Sequence, residues 1–222
     1  MKKIMFNDKY GLTQAVLDGR KTMTRRVVKE LEGRAFRKMP QIVFDEQDED
    51  NCFLVFKDNE DIEPLLCYPA YKIAEVVAVA QSYKDISETV YGNDEMWRLG
   101  FERDVEEKYE LLKEDIAGWT NKMFVRAELM PHQIRIKNVR IERLQDISDE
   151  DCIREGIFLR PAMDIRREFD TEYTFGTGKY HAAMPNAAFA VLIDATCGQG
   201  TWQSNPWVFV YDFELLKLDD HE

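Results

Sequence analysis

The stretch Trp207-Val208-Phe209-Val210-Tyr211-Asp212-Phe213-Glu214-Leu215 constrains the fold more than any other. Aromatic and β-branched side chains dominate it, and these residue types favour pleated strands. Other short strands are expected at 41–44 and 52–56, joined by the acidic and amide run 45–51, which has loop chemistry. Residues 75–80 read as a buried strand. Over 134–141 the apolar positions alternate, but their parity slips at Asn138, which predicts a bulge or a bend there. Helices are expected at 10–18, stopped by Gly19, and at 102–116, with an apolar stripe of Val105, Tyr109, Leu112 and Ile116. A short helix should follow Ser148 as N-cap, with Asp151 as its capping-box partner and Gly156 as its stop. Another should run from Asn186 to Gly198. Short strands separated by helices, without regular βαβ alternation, argue for an α+β fold or a small mixed barrel and against a doubly wound parallel sheet.

A length of 222 residues suits one domain with insertions or two small ones. No apolar run approaches the roughly 20 residues that a membrane span needs. No apolar stretch follows Met1–Asp8, so a signal peptide is not expected and a cytoplasmic location is. The net charge is −12. Long nucleic acids are gripped by neutralising many phosphates, which such a balance allows only locally. Residues 1–38 carry eleven Lys/Arg against four Asp/Glu, whereas 41–66 carry one against nine. That asymmetry permits a local anion site but no broad basic face.

The octapeptide Gly19-Arg20-Lys21-Thr22-Met23-Thr24-Arg25-Arg26 stands out, with four cations and two hydroxyls behind a helix stop. Read plainly, it is a solvated basic strand. Read functionally, Lys21, Arg25 and Arg26 offer charge and donors to a polar or anionic ligand, while Thr22 and Thr24 offer hydroxyls. A flat strand would aim Lys21 and Thr24 at opposite faces, so joint action needs a bend, which Gly19 permits. Glu155 falls in the last turn of the Ser148–Gly156 helix, where the dipole disfavours a negative charge. Burial there would raise its pKa toward general-base range unless Lys21 stood beside it. Trp202 and Trp207 are able to stack a base, or simply to pack at a strand entrance.

Other motifs lead nowhere. Gly176-Thr177-Gly178-Lys179 lacks the glycine spacing of a phosphate loop, and Tyr180 stands where Ser or Thr is needed, so a mobile loop is expected. His132, His181 and His221 have no ligand spacing, and neither a metal nor a cofactor is expected. Cys52, Cys67, Cys152 and Cys197 lie far apart and read as free buried thiols.

Three stretches resemble the ASCH domain family of the PUA-like superfamily, in the longer variants of phages and bacterial genomes. They are Ala15–Arg26, close to a "GRKTxTxR" signature; Tyr71–Gln81, similar to a "GD" barrel strand; and Val139–Ser148 through Glu155-Gly156, followed distantly by Asn205-Pro206-Trp207-Val208. The resemblance spans about residues 4–216. It implies a single domain built on a small PUA-like mixed β-barrel flanked by helices, with insertions at about 41–66, 92–120 and 157–185. It also implies a cleft at the first motif for a nucleoside, nucleotide or short RNA. Some similar proteins are amidohydrolases that deacetylate N4-acetylcytidine through a Lys, a Thr and a Glu, which match Lys21, Thr24 and Glu155 by motif position. Arg20, Thr22, Arg25, Arg26, Gln81, Arg135 and Trp202 are then expected around the ligand. Recognition of RNA or a modified base without chemistry, a ribonuclease-like activity, and an accessory role with a vestigial cleft are the competing implications. Ala74-Glu75 replaces the "GD" pair, and Gln81 replaces an acidic strand end.

Overall fold

The computed structural model describes residues 1–31, 41–45, 48–56, 65–89, 116–160 and 172–216. Strand β1 (Lys2–Ile4) leads through a tight turn at Asp8–Tyr10 into helix α1 (Leu12–Leu17). Leu12, Ala15 and Val16 are buried in α1, as their spacing predicts, and Gly19 follows at a φ of +71°. Strand β2 (Met23–Val27) comes next. Strands β3 (Gln41–Asp45), β4 (Asp48–Phe56) and β5 (Leu65–Cys67) form a separate antiparallel sheet in that order. The acidic stretch expected as a loop is therefore mostly strand. Pairing of β4 with β3 outweighs the weak strand propensity of its acidic residues.

Strand β6 (Val76–Val79) is followed by helices α2 (Tyr83–Thr89) and α3 (Ile116–Thr120). The helix expected over 102–116 lies outside the described residues, except for the residue that opens α3. Strand β7 (Gln133–Arg143) is continuous and carries the predicted bulge: Asp212 pairs with Asn138 but Phe213 pairs with Ile136, leaving Lys137 unopposed. Helix α4 (Asp149–Arg154) begins at Ser148, whose hydroxyl accepts from the Asp151 N–H at 3.1 Å. Only that half of the capping box forms, because the Asp151 carboxylate is bound to arginines. Strands β8 (Phe158–Leu159) and β9 (Tyr173–Thr174) pair with each other. Helix α5 (Pro185–Cys197) starts one residue before the expected Asn186, with Pro185 supplying the fixed φ of a first helical position. Helix α6 (Thr201–Ser204) precedes β10 (Trp207–Leu216), the strand most evident in the sequence.

The main sheet has five strands in the order β1-β6-β7-β10-β2, and only β1 and β6 run parallel. The fold is α+β, as expected, but the sheet does not close into the expected barrel. Its edge strands β1 and β2 are not paired with each other. β1 ends after three residues and the chain turns away into the Asn7-capped turn. A side chain spans the gap instead: Arg26 Nη2 donates to the Met5 carbonyl at 2.7 Å.

Strand β6 serves two cores by simple alternation. Val77 and Val79 join the main core with Ile134, Ile136, Phe209 and Phe213, while Ala78 and Ala80 join a smaller one with Tyr83, Ile86 and Met130. Helix α5 presents Ala188, Phe189, Leu192 and Ile193 to the main core at helical spacing. Among the described residues no helix is long and apolar enough to cross a membrane. Cys67 and Cys152 are buried, but Cys197, expected to be buried, is exposed.

The loop at Gly176 packs tightly. Phe175 is buried and stacks on Tyr180 at 5.2 Å between ring centres. Gly176 holds a φ of +58°, and a Cβ there would lie 2.7 Å from the Tyr10 carbonyl oxygen. Replacement of Gly176 by Ala should therefore cost about 1–3 kcal/mol from overpacking and backbone strain. Gly178→Ala, at a φ of +77° with nothing within 4 Å, should cost only about 1 kcal/mol. Urea denaturation midpoints of the two variants compare these losses. Equal losses would mean that the contact with Tyr10 contributes nothing.

Candidate functional site

The backbone fixes Lys21 before β2 begins. Its N–H donates to the Ala15 carbonyl at 2.8 Å, and the Thr22 N–H donates to the Arg154 carbonyl at 2.9 Å. The segment is thus pinned between the ends of α1 and α4, which supplies the bend the octapeptide needed. The Lys21 ammonium donates to Glu155 Oε2 at 2.6 Å and to the Glu155 carbonyl at 2.7 Å. Their side chains are 2% and 5% exposed. Glu155 caps the C-terminal end of α4, and Gly156 at a φ of +104° ends the helix. A cation belongs at this negative helix end, so Lys21 answers both the carboxylate and the open carbonyls. Burial pulls the Lys21 ammonium below the usual lysine range, and the charge and hydrogen bond of Glu155 restore part of the loss.

Arg25 extends the pair into a network. Its side chain is fully buried and reaches Glu142 at 2.6 Å, Asp151 at 2.9 Å and Glu155 at 3.1 Å. Burial alone would lower its pKa, but Glu155 and Glu142 outweigh this and the net shift is upward. Arg140 binds the same Glu142 and Asp151, and also Asp212 at 2.9 Å. Arg154 closes on Asp212 at 2.5 Å. Lys21, Arg25, Arg140 and Arg154 thus face Glu142, Asp151, Glu155 and Asp212, and the charges cancel. Such pairing is what permits charges to be buried.

Beside the network a cavity of about 460 Å³ lies along the β2 edge of the sheet. Lys21, Thr24, Arg25, Arg26 and Glu155 line one side of it, and Phe6, Asp8 and Lys122 contribute from the chain segments across the gap. Phe189, Leu192 and Ile193 of α5 add an apolar wall. Lys122 donates to the Phe6 carbonyl and pairs with Asp8 at 2.7 Å, tying the segment after α3 to the rim. Thr24 is buried, and its hydroxyl makes no hydrogen bond among the described residues. Strand register places Thr24 opposite Tyr211, and Arg25 opposite Val210, so the two side chains leave β2 on different faces. The cavity meets both because β2 is an edge strand.

The other expected ligand residues are distributed unevenly. Arg26 lines the cavity. Arg20 is exposed and bound to Asp18, and Thr22 accepts weakly from Arg154 at 3.4 Å. Gln81 is buried elsewhere, 2.7 Å from His132 Nδ1, whose pKa burial lowers. Arg135 pairs with Glu214 on the surface of β7 and β10. Trp202 packs edge-on against Phe189 at 6.2 Å rather than facing the cavity. Cys152 lies near the network, but burial pushes its thiol up to about 12 and removes it as a nucleophile. Among the described residues no group of three His, Cys, Asp or Glu is placed to hold a metal.

Sequence reading missed Arg140, Glu142, Arg154 and Asp212 as partners of the motif. One signal was present: Asp212 interrupts an otherwise apolar run in a strand that is buried, and a buried carboxylate requires cations.

Replacement of Glu155 by Ala strands the buried Lys21 ammonium and should cost about 3–5 kcal/mol near neutral pH. The loss should shrink toward alkaline pH. With the folded pKa of Lys21 below its unfolded value, the unfolded chain binds more protons between the two, so stability rises with pH across that window. Chemical denaturation of the variant and the parent at about pH 7 and about pH 9.5 measures this. A deficit independent of pH would mean that Lys21 is not the stranded charge.

Compared with known proteins, the chain matches no family model, no curated protein and no solved structure, so the site must be read from its own geometry.

Proposed function

We propose that the cavity binds a nucleoside-like ligand and hydrolyses an amide on it, of the type found in N4-acetylcytidine. One observation carries the reading: a buried ion pair, Lys21 with Glu155, stands in the wall of a cavity that also holds the unengaged hydroxyl of Thr24. Structural ion pairs are usually sealed or solvated, whereas this one borders ligand-sized space. The resemblance of Ala15–Arg26 and Glu155-Gly156 to the ASCH signature supports the same assignment of residues.

The chemistry follows from proton movements. Neutral Lys21 takes the proton of the Thr24 hydroxyl, and the oxygen attacks the acyl carbon. The C–N bond breaks as the leaving amine receives a proton relayed through Glu155. Water then cleaves the Thr24 ester, releasing the carboxylic acid and restoring the hydroxyl. Arg26 lines the cavity, has no carboxylate partner among the described residues, and is the donor assigned to the developing oxyanion. Recognition without chemistry is the second reading. It is favoured by the absence of a hydrogen bond from Thr24 to Lys21 or Glu155.

Turnover of N4-acetylcytidine and related acylated nucleosides, followed by release of the acid, tests the proposal. Thr24→Val, which strands no charge, should abolish turnover, and Thr24→Ser should retain it. Lys21→Ala should lower the rate by about a hundredfold or more. The wild-type rate should rise with pH and level off below the ordinary lysine value of 10.5, because Lys21 acts only when neutral. Ligand binding without any turnover would reject the catalytic step and leave recognition.

A further inference from the structure

A second cavity of about 640 Å³ adjoins the first, and Arg25, Arg26 and Cys197 line both. Lys29 and Arg143 add two more cations, and among the described residues its walls contain no Asp or Glu. Arg25 is consumed by the buried network. The other three are not. Among the described residues, Arg26 donates only to the Met5 carbonyl and lies over the Phe6 ring at 5.9 Å, and Arg143 donates only to the Asn205 carbonyl at 3.1 Å while stacking on Trp207 at 4.2 Å. Lys29 is exposed in a tight turn after β2. None of the three has a carboxylate partner among the described residues. In a chain of net charge −12, three such cations gather around one hollow. The nearby hydroxyls of Thr201 and Ser204 already donate to backbone carbonyls, so the free donors are those of the cations.

We infer that the second cavity is a phosphate subsite, receiving the phosphate of a nucleotide whose base lies in the first. The inference rests on the nucleoside reading of the first cavity and narrows its substrate to phosphorylated forms. Guanidinium groups match phosphate oxygens with paired donors, and Lys29 adds a mobile point charge. Arg25 and Arg26 line both spaces, so the second cavity lies next to the first.

Calorimetric titration with cytidine, cytidine 5′-monophosphate and inorganic pyrophosphate tests this. The monophosphate should bind roughly ten- to a hundredfold more tightly than cytidine, the worth of charge-assisted hydrogen bonds. Lys29→Gln, at an exposed position, and Arg143→Gln should each shrink that ratio. Pyrophosphate should bind the parent and weaken in both variants. Equal affinity for cytidine and its monophosphate, or a ratio unchanged in both variants, overturns the inference. If neither cytidine form binds, pyrophosphate decides alone: binding lost in the variants sustains the subsite, and no binding ends it. The two proposals therefore fail separately. Turnover of an acylated nucleoside with no phosphate effect rejects only the subsite, and phosphate binding without turnover rejects only the hydrolysis.

Discussion

Arg25 holds the site together. Its guanidinium takes carboxylates from β7 and from α4, so a single buried cation joins the sheet to the helix that carries Glu155. A cation so deeply buried is tolerable only when its charge and donors are matched. Once Arg25 is in place, Glu142 and Asp151 must be there too, and each then draws in Arg140. The position of α4, and hence of Glu155 beside Lys21, follows from this chain of obligations more than from apolar packing. α4 is only six residues long and buries little by itself.

The unclosed sheet gives that network something to act on. A fully hydrogen-bonded barrel would cover the β2 edge with backbone. Here the edge is left to side chains, and the cavity occupies the place where a closing strand would run. Within the wall the charges are balanced, so the site does not repel or attract strongly through them. Farther out, Arg26, Lys29 and Arg143 have no carboxylate partner among the described residues. The two regions therefore differ in charge state: carboxylates match the cations of the inner one, and cations alone line the outer one among the described residues.

Much of this was legible in the sequence. The β10 run, the stop at Gly19, the cap at Ser148 and the parity slip at Asn138 each reflect local rules, and each appears in the structure. The family resemblance also implied that Lys21 and Glu155 act together, and the two pair in the structure. Three kinds of feature were not legible. Closure of the sheet depends on how edges meet in space, which no local period encodes. Asp151 was read as a capping residue because sequence shows its neighbours three positions away, not Arg25 across the sheet. Gln81, Arg135 and Trp202 are expected at the ligand from the resemblance and from residue type, neither of which encodes tertiary position. Their actual partners His132, Glu214 and Phe189 are set by tertiary packing.

The extra residue in β7 has a consequence beyond its own kink. A strand keeps time with a two-residue beat, and Lys137 makes β7 skip one. Before the skip, Ile134 and Ile136 fall on the core beat; after it, Val139 and Ile141 do, although their parity is reversed. The same skip lands Arg140 and Glu142 on the opposite beat, toward Arg25 and Asp212. Without it, one half of the strand would carry its charges into the apolar layer and its isoleucines onto the charged face. One strand can thus serve both a hydrocarbon core and an ionic cluster because its two halves are written in opposite phase.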